Sequence, residues 1–175
     1  FELAEAYRKS GLPVKAIAMF AEVIQRKPDY LPAVRGLASL QAQQGRLEEA
    51  IQESLAVLKL QPDDISAHNY LGEAYFSQGR FEEAIQEYLA ILKLQPDDIN
   101  AHNYLGDTYS RQGRFNEAIQ EFSAVLKQQP DNIFAHNNLG NTYLSQGRLE
   151  EAIQEYLAVL KLQPDDINAH NYLGD

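Results

Sequence analysis

The sequence predicts an all-α solenoid, built from antiparallel helix pairs stacked in series. Three observations carry this. His68, His102, His136 and His170 stand 34 residues apart, and Pro28, Pro62, Pro96, Pro130 and Pro164 keep the same interval. Gly11, Gly45, Gly79, Gly113 and Gly147 keep it too. Between these markers apolar residues recur at the three- and four-residue spacing of an amphipathic helix. A fixed period of this size marks one supersecondary unit copied and stacked, so length does not count domains. The expected organisation is one array over 1–175, with a partial unit at 1–30, complete units at 31–64, 65–98, 99–132 and 133–166, and a partial unit at 167–175.

Taken in order, the partial unit at 1–30 begins inside a helix, as an excised fragment would, with Leu3, Tyr7 and Ile17 on its apolar side. In the unit at 31–64, "LEEAIQESLAVLKLQP" puts Ala50, Ile51, Leu55, Val57, Leu58 and Leu60 on a helical stripe, with Glu48, Glu49 and Glu53 largely opposite. Pro62 lacks an amide hydrogen and restricts its predecessor, so that helix should stop near Gln61. Asp64 can then accept from the exposed amides of the next helix, a role repeated by Asp98, Asn132 and Asp166.

The following helix, "ISAHNYLGEAYFSQ", runs to Gly79, where the left-handed conformation favoured by glycine ends a helix and turns the chain back. Gly72 lies inside that helix, where glycine costs about 1 kcal/mol against alanine. Its return as Gly106, Gly140 and Gly174 implies a close approach by the neighbouring helix, for which Ala84, Ala118 and Ala152 are suitably small. Ala38 and Ala4 take that place in the first units. The copy beginning at Glu82 differs from the copy beginning at Glu150, through "YLGD", only at Ile91, which is Val159. Recent duplication and deliberate consensus design both produce such near-identity.

Leu71, Gly72, Tyr75, Ala84, Tyr88, Ile91 and Pro96 stand at the spacings of the tetratricopeptide repeat, which this chain resembles over essentially its whole length. The units at Gly106 and Gly140 match equally well. The resemblance implies helix pairs wound into a right-handed α-α superhelix, with the first helix of each pair lining an inner groove that binds other proteins, often as extended peptides. Where the family usually has tryptophan or another large residue, this chain has the four histidines. The unit at 31–64 departs further, with Gln41, Ser54 and Val34 replacing the tyrosine, the large aromatic and the histidine, and with Gly36 inside its first helix.

Composition bounds the chemistry. A formal net charge of -10 opposes binding to phosphate backbones, and the absence of cysteine excludes disulfides and thiol chemistry. No apolar run approaches the roughly 20 residues of a membrane span, and no secretory leader follows Phe1, so no membrane insertion and a cytoplasmic setting are expected. No metal is expected at the histidines, because helix axes about 8 to 10 Å apart keep equivalent residues from sharing an ion with bonds near 2 Å. A half-buried imidazole in place of a large residue is the plainer reading. The pairs Asp63 with Asp64 and Asp97 with Asp98 lack the glycine and terminal glutamate of a calcium loop, and no nucleophile recurs beside them. No cofactor and no catalytic residue are expected.

One stripe remains. Asn100, Asn103 and Asp107 share a helix face, as Ser66, Asn69 and Glu73 do one unit earlier, and that face points away from the helix partner. A ladder of Asn69, Asn103, Asn137 and Asn171, flanked by Asn141, would offer donors and acceptors to an extended peptide backbone. Ordinary polar surface copied by duplication is the competing reading. Phe76, Phe134 and Leu144 break the copying on the same stripe and are candidate apolar anchors. Family members that clamp acidic chaperone tails carry lysines and arginines where this chain has mostly Asn69, Tyr70, Asn103, Tyr104 and Asn138. Only Arg35, Arg111, Arg8 and Lys9 leave positive charge there. The expected function is a non-enzymatic scaffold that binds protein or peptide partners and can self-associate head to tail through Ile167, Leu173 and the apolar residues of 1–30. The alternative is the substrate-recruiting segment of a larger enzyme such as a protein glycosyltransferase.

Overall fold

The repeat period becomes helix pairs with the boundaries the proline, aspartate and glycine markers imply. The computed structural model describes residues 1–173, and among these it holds 11 α-helices and no strand. Gly174 and Asp175, and the side chain of Leu173, lie outside the described residues. The chain forms two compact units, one spanning Phe1–Leu94 and the other beginning at Gln95.

The first unit contains α1 (Glu2–Lys9), α2 (Pro13–Arg26), α3 (Leu31–Gln43), α4 (Leu47–Leu60), α5 (Ile65–Ser77) and α6 (Phe81–Leu94). Each helix packs on the next, and α3 also touches α5, the first helix of the following pair. The α5–α6 connection is short because Gly79 adopts φ 73°. There the Gly79 amide donates to Phe76 O (3.0 Å) and the Arg80 amide to Tyr75 O (2.9 Å), which satisfies carbonyls the ending helix would otherwise orphan. At the other end of the helix, Asp64 Oδ1 accepts from the Ala67 amide at 2.9 Å, as the capping pattern predicts.

The second unit contains α7 (Ile99–Arg111), α8 (Phe115–Gln128), α9 (Ile133–Ser145), α10 (Leu149–Leu162) and α11 (Ile167–Leu173). Consecutive helices again pack together, and α7 touches α9. Asp98, Asn132 and Asp166 cap α7, α9 and α11 through the amides of Ala101, Ala135 and Ala169, at 2.8 to 3.0 Å.

The interior glycines answer to aromatic rings. A Cβ on Gly72 would lie 2.5 Å from the Tyr88 ring, one on Gly106 2.7 Å from Phe122, and one on Gly140 2.8 Å from Tyr156. The nearest atoms therefore belong to rings on the partner helix, while Ala84, Ala118 and Ala152 are buried on those same helices. In the unit at 31–64 the same relation holds in reverse: Ala38 keeps its Cβ, and the residue at the ring position is Ser54. Gly36, which the sequence presents as a weakness, has its own reason. A Cβ there would meet the Phe20 ring at 2.6 Å, so its missing side chain makes room for a fully buried aromatic from α2.

Candidate functional site

The fold consumes several polar residues of the first helices, and what remains defines the open surface. The histidines are consumed. In α5, His68 Nδ1 lies 2.6 Å from Glu87 Oε2, and Nε2 donates to the Pro62 carbonyl at 2.9 Å. His102 repeats this with Glu121 and Pro96, and His136 with Glu155 and Pro130. His170 donates to the Pro164 carbonyl. Each ring thus ties a first helix to the turn before it, and in the three pairs it also reaches the second helix. Among the described residues, no three histidine, aspartate, glutamate or cysteine side chains converge as a metal site would require.

Arg35 is also engaged, since its guanidinium pairs with the buried Asp64 cap and donates to Gln61 Oε1 at 3.0 Å. Asn141 Oδ1 accepts from the Tyr156 hydroxyl at 2.7 Å, and Phe76 packs edge-on against Phe81. These contacts engage three of the expected groove residues with neighbours in the fold. Arg8 donates to Glu5 at 2.6 Å.

Several clefts stay open along the first helices. In the first unit, a cleft of about 330 Å³ lies between α3 and α5, with Ser39, Gln43, Tyr70, Glu73 and Ser77 on its walls and Leu47 at one end. Burial pushes the Glu73 carboxyl above the usual glutamate range, and no other cause acts on it. Asn69, on the same helix, is half-buried.

In the second unit, a cleft of about 490 Å³ lies between α7 and α9. Asn100, Asn103, Tyr104, Asn132 and Phe134 line it. Asn100 is exposed and Asn103 is buried, while Phe134 leaves 49% of its surface to solvent. The carboxamide oxygens of Asn103 and Asn137 are both buried without a hydrogen-bond partner. Buried acceptors normally have one, so these two are exceptions, as are Gln41 Oε1 and Ser54 Oγ in the first unit. Nearby, burial raises the Asp107 carboxyl, an effect opposed by Arg111, whose Nε stands 3.6 Å away. Leu144 is exposed on α9 and Asn171 on α11.

Sequence reasoning missed two recurring contacts. One is the histidine–glutamate pair. The other is an arginine laid over a tyrosine ring: Arg80 over Tyr75, Arg114 over Tyr109 and Arg148 over Tyr143, at 4.2 to 4.4 Å from the ring centres. The constant five-residue offset between Tyr and Arg in each of these copies was the available signal.

Helix pairs joined by glycine turns, with clefts between successive first helices, define a helical-repeat protein. The family model described as TPR repeat matches residues 38–79 and 72–113, and the one described as Tetratricopeptide repeat matches 104–167. The chain belongs to the tetratricopeptide repeat family. No curated protein matches it. Among solved structures it is similar to the crystal structure of MamA, with 21% identity, a TM-score of 0.88, and coverage of 94% of this chain and 96% of that one. MamA 41-end from Desulfovibrio magneticus RS-1 gives 19%, 0.89, 95% and 94% for the same quantities. YrrB, described as a TPR protein with an unusual peptide-binding site, gives 20%, 0.85, 99% and 90%. At these identities the likeness shows the fold, an all-α solenoid of helix pairs.

Proposed function

We propose that this chain is a non-enzymatic scaffold that holds segments of partner proteins as extended peptides in the clefts along its first helices. One observation carries the reading: the α7–α9 cleft sets the carboxamides of Asn100 and Asn103 beside the half-exposed Phe134. Strand-like peptide backbone supplies amide donors at regular intervals, whatever its side chains. Phe134 adds an apolar contact at the same cleft. The description of YrrB as peptide-binding supports the reading by analogy of fold. A net charge of -10 disfavours nucleic acid as the partner, and among the described residues no helix is long and apolar enough to cross a membrane.

Replacing both Asn103 and Asn137 with alanine should weaken binding of a captured partner while helicity and melting change little. Unchanged affinity would sink the proposal. Phe134→Ser should weaken only partners that present an apolar side chain to the cleft. Head-to-tail self-association of the 175-residue chain belongs to the same proposal, supported by Leu3 and Ile167, 54% and 74% exposed. Sedimentation at rising concentration tests it, and a monomer throughout would count against it.

A further inference from the structure

One position of the first helices reads Ser39, Glu73, Asp107 and Asn141 on α3, α5, α7 and α9, so two successive copies carry an acid there. The position four residues on reads Gln43, Ser77, Arg111 and Ser145. The two acids therefore differ in what accompanies them. Asp107 has Arg111 one turn away on its own helix, at 3.6 Å. Glu73 has Ser77 there, and among the described residues it has neither an ion-pair nor a hydrogen-bond partner.

The surroundings of Glu73 sharpen the contrast. Its carboxylate stands half-buried on the wall of the α3–α5 cleft, whose other lining groups, Ser39, Gln43, Tyr70 and Ser77 among them, carry no charge. The cations of the adjoining cleft are already paired, Arg8 with Glu5 and Arg35 with Asp64. Burial with no compensating charge raises its carboxyl, which is the signature of an ion taken partly out of water without a counterion.

We propose that the α3–α5 cleft takes a lysine or arginine side chain from a partner protein segment, with Glu73 as its counterion. This deepens the scaffold reading and rests on it. A cleft of about 330 Å³ admits either side chain, and the overall charge of -10 draws a basic segment toward it. The Tyr70 ring lines the same cleft, where an aromatic face adds attraction for a cation. The incoming ammonium or guanidinium would do for Glu73 what Arg111 does for Asp107.

The test uses the full chain and short Ser/Gly/Ala peptides that differ only at a central lysine, arginine, norleucine or glutamate, with backbone amide shifts followed by NMR. The lysine and arginine peptides should move the amides of Gln43, Glu73 and Ser77 and bind about tenfold more tightly than the norleucine peptide, as expected for a partly desolvated charge pair. The glutamate peptide should bind most weakly. Glu73→Gln should remove the preference for a cation. Ser77→Arg, which supplies the internal cation found beside Asp107, should remove it as well while leaving Glu73 in place. A preference that survives Glu73→Gln, or equal binding of the norleucine peptide, overturns the inference and leaves the scaffold reading standing. If no peptide moves any first-helix amide, both fall.

Discussion

Glu53 on α4 stands where its counterparts meet a histidine, and the residue at the histidine's position is Val34 on α3. The pairs His68–Glu87, His102–Glu121 and His136–Glu155 each close at 2.6 Å. One period earlier the same two positions hold Val34, buried at 3% exposure, and Glu53, half-buried. Burial alone raises the Glu53 carboxyl. With valine in place of the imidazole, Glu53 is a half-buried carboxylate without the contact its counterparts make.

That relation sets a pH dependence. The native pKa of Glu53 lies above the ordinary value of 4.5, so the folded chain holds this proton more tightly than the unfolded chain does. Its contribution to stability is fully present below the unfolded value and is lost as the pH rises through the native one. Glu53→Gln should therefore raise the melting temperature at pH 7 and change it little at pH 4, whereas Glu121→Gln should lower it at pH 7 by breaking the contact with His102. Thermal melts of both variants at the two pH values check this. A drop for Glu53→Gln at pH 7 would contradict it.

The local features of the fold were legible because they depend on near neighbours in sequence. Asp64, Asp98, Asn132 and Asp166 cap helices as their place after a proline implies, and Gly79 turns the chain as its spacing implies. The contacts that the sequence does not disclose depend on how helices cross. His68 and Glu87 are 19 residues apart on different helices, and periodicity does not say which side of α6 meets α5. For the same reason, Gly36 reads as a defect until the Phe20 ring is placed over it. The candidate groove was legible as a stripe, but whether a polar residue on it is free depends on its neighbours. Asn141 is bound by Tyr156 and Arg35 by Asp64, while Asn103 keeps an unfilled acceptor.

The pairing of glycine with a ring predicts strong coupling between Gly106 and Phe122. Gly106→Ala places a Cβ 2.7 Å from a ring that is fully buried, and overpacking of this kind costs about 1–3 kcal/mol. Phe122→Ser should cost more, through the cavity it opens. With the ring gone, the alanine should cost nothing further, as the natural pair Ala38 and Ser54 illustrates. A double-mutant cycle from urea melts measures the coupling, and additive losses would rule out the ring as the cause.

The unit at 31–64 should exchange its amide hydrogens faster than the unit at 99–132. Gln41 and Ser54, which replace aromatics, each bury an oxygen with no partner, against Asn103 alone in the unit at 99–132 among the described residues, and Gln41 stands where Arg114 finds Tyr109, so Arg46 has no tyrosine beneath it. Unpaired buried oxygens cost free energy and lower the local barrier to opening. Hydrogen exchange followed by mass spectrometry resolves the two units, and equal protection would show that packing elsewhere compensates.

Tyr109 joins three parts of its unit, so its replacement should be costly. Its side chain is 7% exposed on α7, its ring lies 4.4 Å beneath the Arg114 guanidinium, and its carbonyl accepts from the Arg114 amide at 2.9 Å in the turn that Gly113 closes. Tyr109→Ala should cost about 3–5 kcal/mol, the range for truncating a large buried aromatic. Tyr109→Leu keeps apolar volume and the backbone bond but gives up the face on which the cation rests, so its cost should fall between that of alanine and wild type. Arg114→Ala should cost less than either, because the guanidinium is half-exposed and gains only modestly from the ring. If the arginine acts through the ring, Arg114→Ala should lose its effect in the Tyr109→Leu background. Denaturant melts of these variants and the double mutant decide the matter: a cost near zero for Tyr109→Ala would mean that the ring is not packed as described, and an unchanged effect of Arg114→Ala without the tyrosine would assign that arginine's contribution to Glu117 instead.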